Sequence, residues 1–235
     1  GSIVLSDTES KKTLYVIPAG YMYDADGAYS DAVKYNLETA GTGEYILTIT
    51  ADSEWMNDAT RSYPITIDPS VSIPNSTVTD LDIYSTNPDR SSPTDSTLYV
   101  GNTWRAYWKT SSLPAVSSTS YITKATISML STSTSGNYVG VYNVTSGWDS
   151  SLTWNKTIAS SSPQGVMSNT VIDYNCIDGN SCVDNRYTWD ITSLYKAWVS
   201  GTSSNNGVGF KIVDNTTAIG NSVFLSNDAT AVSNR

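Results

Sequence analysis

Hydrophobic residues along this chain recur at every second position over short stretches, with clusters of Gly, Asn, Asp and Ser between them. A period of two is the signature of a strand with one buried face. In E-Y-I-L-T-I-T, residues 44–50, Tyr45, Leu47 and Ile49 fall on one face and Ile46, Thr48 and Thr50 on the other. The same reading predicts strands at T-L-Y-V-I-P, at Ala32 to Leu37 and at Y-P-I-T-I-D-P, joined by turn chemistry in D-A-D-G and G-T-G. Residues 1–72 therefore read as a small antiparallel β-sandwich, its last strand ending near Pro69, which cannot donate to a ladder. A polar linker containing Pro74 follows. In the second unit, 73–235, strands are expected at 81–85, 97–100, 104–110, 121–130, 137–143, 187–191, 207–213 and 222–226. Short strands with long polar loops predict a jelly-roll β-sandwich, so the fold class is all-β. One helical segment is expected from Asp190 to Trp198, capped by Asp190 or Thr192, with Leu194, Tyr195 and Trp198 on its apolar side.

Composition sharpens this picture. Only 15% of residues are charged, and 16 Tyr and 7 Trp far outnumber 2 Phe. That mix favours strands and hydroxyl-rich surfaces of an extracellular kind. The net charge of −9 leaves no basic footprint for phosphates, so no nucleic-acid partner is expected. No run of 18 apolar residues occurs, so no membrane insertion is expected. The absence of histidine removes Ser-His-Asp and Cys-His mechanisms and histidine metal sites. Glu9, Glu38, Glu44 and Glu54 are the only glutamates, all in the first unit, and nothing singles out a glycosidase pair. The chain is therefore expected not to be an enzyme.

Cys176 and Cys182 flank I-D-G-N-S, whose Asp-Gly turn could bring the sulfurs together, and a disulfide is expected there. Two cysteines alone do not complete a zinc site. Asp24, Asp26, Asp89, Asp95, Asp178 and Asn180 are candidate ligands for a structural calcium, although turn chemistry accounts for most of them. On the strand from Trp104, Ala106, Trp108 and Thr110 share one face and Arg105, Tyr107 and Lys109 the other. With Trp108 inward, Arg105, Tyr107 and Lys109 form an outward cation–aromatic–cation row, the candidate ligand-binding patch for sugar hydroxyls or a uronate. The plainer reading is a solvated strand face or contact with the first unit. Trp148, Trp154, Trp189 and Trp198 fit packing better than sugar stacking.

The second unit resembles the DNRLRE-type domain, a bacterial secreted β-sandwich related to carbohydrate-binding modules. The matching pieces, in order, are D-I-Y-S-T-N-P, L-Y-V-G-N, R-A-Y-W-K-T-S-S-L-P, I-T-K-A-T-I-S, G-W-D-S-S-L-T-W-N, W-D-I-T-S-L-Y-K-A-W, N-N-G-V-G-F-K-I and V-F-L-S-N-D. The first unit resembles the segment preceding such domains in wall-associated Rhs/YD-repeat proteins, through V-I-P-A-G-Y-M-Y-D-A-D-G, A-D-S-E-W-M-N-D and R-S-Y-P-I-T-I-D-P-S-V. Two departures stand out. Trp108 and Thr110 replace the family's aliphatic and Phe residues, and the family's final strand after S-N-D is lacking. That lack implies an open sheet edge near the C-terminus, suited to strand exchange with another chain or to filling by the N-terminal segment. The resemblance implies a non-catalytic, extracellular or cell-wall-associated module of a large Gram-positive bacterial surface protein, binding polysaccharide or a cell-surface glycan. The alternative is a spacer, scaffold or protein-binding adhesin segment of a toxin-like Rhs/YD-repeat protein with no sugar binding.

Overall fold

Alternating side chains become antiparallel pairs in every ladder among the described residues. The structure, a computed structural model, describes residues 1–68, 70–73, 77–114, 116, 122–133, 135–177, 185–213 and 220–229. The chain divides into two units, Gly1–Thr77 and Val78–Arg235.

The first unit contains β1 (Ile3–Ser6), β2 (Thr13–Ile17), β3 (Tyr21–Tyr23), β4 (Tyr29–Ser30), β5 (Val33–Gly41), β6 (Glu44–Ala51), the single turn α1 (Ser53–Met56) and β7 (Thr66–Asp68). They form three small sheets: β1-β2, β4-β3-β7 and β5-β6. The D-A-D-G turn holds because the Asp24 carboxylate accepts N–H bonds from Asp26, Ala28 and Ser62, with Arg61 3.4 Å away. Asp52 starts α1 by accepting the Trp55 N–H at 2.8 Å. Met22 and Val33 are buried, while the distal half of the β5–β6 hairpin is exposed on both faces.

The second unit contains β8 (Val78–Tyr84), β9 (Thr97–Val100), β10 (Trp104–Thr110), β11 (Thr126–Leu130), β12 (Asn137–Val144), α2 (Trp154–Ile158), β13 (Met167–Ile177), β14 (Arg186–Asp190), α3 (Thr192–Val199), β15 (Val208–Ile212) and β16 (Ser222–Leu225). A five-stranded sheet runs β13-β12-β15-β10-β8. Facing it, the pairs β11-β14 and β16-β9 are joined by a bridge between Ser131 and Phe224. Ala106, Val139, Val141 and Phe210 from the large sheet pack with Leu98, Ile127, Met129, Trp189 and Phe224 from the other layer. Trp189 presents its edge to Phe210 and Phe224 and donates its indole N–H to the Val139 carbonyl at 3.0 Å. Such a fully buried aromatic contributes roughly 1.5–3 kcal/mol of hydrophobic burial. The fold is the all-β sandwich that alternation predicts.

A second apolar cluster lies on the opposite face of the large sheet. There Leu81, Ile83, Tyr107 and Val144 pack with Trp148 and Leu152, with Trp154 and Met167 at the margin. The segment between β12 and β13 folds back to cover this face, so β10 is buried on both sides.

Three features depart from expectation. The longest described strand, β13, lies outside the stretches where the sequence predicts strands. The short helices α1 and α2 add to the one helical segment that the sequence predicts. The expected open edge near the C-terminus is not at β16, which has β9 on one side and the Ser131 bridge on the other. After it, Asn227 donates its side-chain amide to the Val78 carbonyl at 2.7 Å, and residues 230–235 lie outside those described.

Candidate functional site

The row Arg105, Tyr107 and Lys109 occupies one face of β10, but that face is largely covered, with Arg105 and Lys109 half-buried. Tyr107 is 0% exposed, and its ring packs edge-on against Trp148 at 5.5 Å. Burial pushes its phenol up to about 12, against the opposing pull of Arg105. The cations flank it, each on a tryptophan: the Arg105 guanidinium lies 4.4 Å from the Trp154 ring, and the Lys109 ammonium 4.5 Å from the Trp148 ring. Lys109 also donates to the Trp148 carbonyl, and the Trp148 indole donates to Asn206 at 2.8 Å. The expected outward row is thus corrected: alternation put the three residues on one face, and the segment carrying Trp148 and Trp154 covers it. Trp108 is half-buried against the inter-layer core.

One concave feature of the second unit lies at an end of the sandwich. A cleft of about 680 Å³ is lined by Tyr84 and Trp104 from the large sheet, Thr97 and Tyr99 from β9, and Arg90 and Asp95 from the β8–β9 loop, among others. Cross-strand register places Tyr84 opposite Trp104, and their rings stack at 4.2 Å with an 11° interplanar angle. Tyr99 leans on the same indole at 5.0 Å. The Arg90 guanidinium lies 5.2 Å from the Trp104 ring and joins buried Asp82, at 3.1 Å, to half-exposed Asp95 at the rim. With its charge balanced by two carboxylates, Arg90 holds the loop in place more than it attracts an anion. The cleft therefore offers a wall of aromatic rings with hydroxyl, amide and carboxylate acceptors at its mouth, a chemistry suited to a planar, weakly charged group.

Asp80 and Asp82 alternate along β8 and point toward the inter-layer space. Asp82 accepts from the Tyr99 N–H at 2.9 Å, from Arg90 and from the Ser92 hydroxyl. Burial raises its carboxyl, and these bonds oppose the rise. Asp80 accepts the Asn227 N–H at 2.9 Å. Burial, reinforced by Asp228 and Asp82, pushes it up to about 6. These carboxylates tie the β8 edge to the β9 strand and to the segment after β16.

The described candidate calcium ligands each hold a protein partner. Asp24 anchors its turn, Asp26 accepts from Ser62, Asp89 accepts from Asn155 and Asp95 pairs with Arg90. Asp178 and Asn180 lie outside the described residues. Among the described residues no group of three Cys, Asp or Glu could hold a metal ion. Cys176 stands on β13, with its sulfur 3.7 Å from the Gly136 carbonyl. Cys182 lies outside the described residues, and the expected disulfide lies outside them with it.

Sequence reasoning missed Tyr84, Arg90 and Tyr99. The signal for Tyr84 and Tyr99 is their place one strand away from Trp104, which requires the β8–β10 register and the layer pairing. Arg90 carries no signal short of the structure.

No family model matches this chain. It is similar to tRNA nuclease WapA of Bacillus subtilis (strain 168), tRNA(Glu)-specific nuclease WapA of Bacillus subtilis subsp. natto and tRNA3(Ser)-specific nuclease WapA of Bacillus spizizenii. Each alignment is 28% identical and covers 92% of this chain. The chain spans 10% of the length of each relative. These relatives overturn three expectations: that the protein is a non-catalytic carbohydrate-binding module, that it is not an enzyme, and that its partner is a glycan with no nucleic acid involved. The expectation rested on the absence of a basic footprint, and net charge over a stretch that matches one tenth of these relatives does not report on what the rest of them act on. No helix among the described residues is long and apolar enough to cross a membrane.

Proposed function

We propose that this chain is a segment of a large tRNA-directed nuclease. The observation that carries the reading is continuous similarity over 92% of the chain to proteins named as tRNA nucleases. The activity is assigned to the whole polypeptide, of which this chain is about a tenth. The ordered motifs shared with DNRLRE-type and Rhs/YD-repeat segments support placing both units in a long Gram-positive protein acting outside the cell or at its wall, and the Ser-, Thr- and Asn-rich surface fits that location. Incubating the parent polypeptide with tRNA tests the reading: cleavage supports it, and intact tRNA under conditions where the parent is folded overturns it.

Within this chain, the aromatic cleft is the surface we assign to RNA contact. An unpaired base stacked on its wall gains roughly 1–3 kcal/mol without needing phosphate contacts. The neutralised Arg90 and the net charge of −9 both favour a base over a phosphate as the bound group. Binding of a tRNA stem-loop to the second unit should accordingly be weak and nearly independent of salt. Trp104→Ala should weaken it roughly tenfold, while Trp104→Phe retains most of it. A steep salt slope, or unchanged affinity in folded Trp104→Ala, removes the cleft from the proposal.

A further inference from the structure

The β5–β6 hairpin of the first unit is long for an element standing alone. β5 has nine residues and β6 eight, and among the described residues each pairs with the other and with no further strand. A two-stranded ribbon is marginal in water without further support. Its base has that support: Val33 is buried, and Val33 and Tyr35 pack closely against Gly20. The distal part does not. Leu37, Tyr45 and Ile46 are 39%, 56% and 55% exposed. Tyr35, Leu37, Tyr45, Leu47 and Ile49 share one face, since Tyr35 pairs with Ile49 and Leu37 with Leu47. A long strand edge beside an apolar face is a template for another strand.

The charges on the other face of β5 say which strand fits. Lys34, Asn36 and Glu38 alternate there, all exposed. If a second β5 lies antiparallel with Asn36 opposite Asn36 of the partner subunit, Lys34 faces Glu38 of the partner subunit, and Glu38 faces Lys34 of the partner subunit. The same register sets Tyr35 against Leu37 of the partner subunit on the apolar face. Shifting two residues in either direction separates the opposite charges. Larger shifts oppose Lys34 to Lys34 or Glu38 to Glu38, which destabilises the pair. One register is thus favoured by charge and by apolar contact together, and it has the self-complementarity that a two-fold axis requires.

We propose that the β5 edge binds a second copy of this chain, forming a four-stranded antiparallel sheet β6-β5-β5-β6 about a two-fold axis at Asn36. The association is weak and depends on concentration, because it rests on one strand pair and a small apolar face.

Sedimentation velocity over a concentration series tests this with a charge swap. The wild-type chain should dimerise reversibly. Lys34→Glu and Glu38→Lys should each weaken the dimer roughly tenfold, because each sets like charges across the strand pair twice. The double variant Lys34→Glu/Glu38→Lys should restore it. Lys34 and Glu38 are exposed, so all three variants should keep the wild-type circular-dichroism spectrum. A monomer at every concentration overturns the proposal. So does a dimer indifferent to the single changes, or one that the double swap fails to rescue.

Discussion

At the scale of single residues, burial decides what each side chain can do. Arg105, Tyr107 and Lys109 have the types and spacing of a ligand patch, yet Tyr107 is a core residue and both cations rest on tryptophans of the same chain. Tyr107→Ala should therefore cost about 3–5 kcal/mol of unfolding free energy in urea denaturation. Arg105→Ala, which loses one cation–π contact, should cost about 1 kcal/mol or less. Equal, small effects would mean that the face is open. Asp80 makes a second residue-scale prediction. Its carboxyl titrates near 6 in the folded chain and near 3.8 when free. The raised value means that the neutral form is favoured in the fold, so the associated stability is fully present below about pH 4 and is lost as the pH rises through about 6. Asp80→Asn should be more stable than wild type above pH 6, by about 2–3 kcal/mol, with the difference vanishing near pH 4. A difference that stays constant with pH would contradict the assignment.

At the scale of elements, short runs of alternating residues located most of the sandwich strands: β11 and β14 bury one face and show the other, while β8, β10, β12 and β15 are covered on both faces and were legible from their apolar and aromatic content between turn residues. The strand they missed, β13, explains the limit. M-S-N-T-V-I-D-Y-N-C-I pairs with β12 through two register shifts, between Val141 and Tyr142 and between Tyr142 and Val144. Each shift breaks the alternation that makes a strand legible. The covering segment from Trp148 to Leu152 was invisible for a different reason: its tryptophans announce packing, but not which face they pack on. The cleft required the register that stacks Tyr84 on Trp104 and the layer pairing that brings Tyr99 to them. The α3 segment, Thr192–Val199, falls where expected, with Leu194 and Trp198 buried, but its N-cap is Ile191 rather than Asp190 or Thr192, and the Asp190 carboxylate accepts the Thr192 N–H at 2.8 Å without serving as the cap. The N-N-G loop has a backbone reason for its glycine. Gly207 sits at φ +78, and a Cβ there would lie 2.2 Å from the Trp108 carbonyl oxygen. Gly207→Ala should thus destabilise the second unit by more than about 1 kcal/mol in thermal or urea unfolding. A neutral substitution would mean that the loop can shift away from β10.

At the scale of the whole molecule, charge and composition describe this chain but not the polypeptide to which we assign it. A chain of net charge −9 with no histidine argues against phosphate binding and against histidine catalysis within its own residues. Yet the proteins it resembles are ten times longer and named for acting on tRNA. The account joins these facts by giving nuclease activity to the parent polypeptide, base stacking to one cleft of the second unit and self-association to one hairpin of the first. Its central claim is the nuclease assignment. The most direct measurement is incubation of the purified parent polypeptide with total tRNA, followed by end-mapping of the fragments. The account predicts cuts at a defined position in tRNA; tRNA left whole by a folded parent would contradict it.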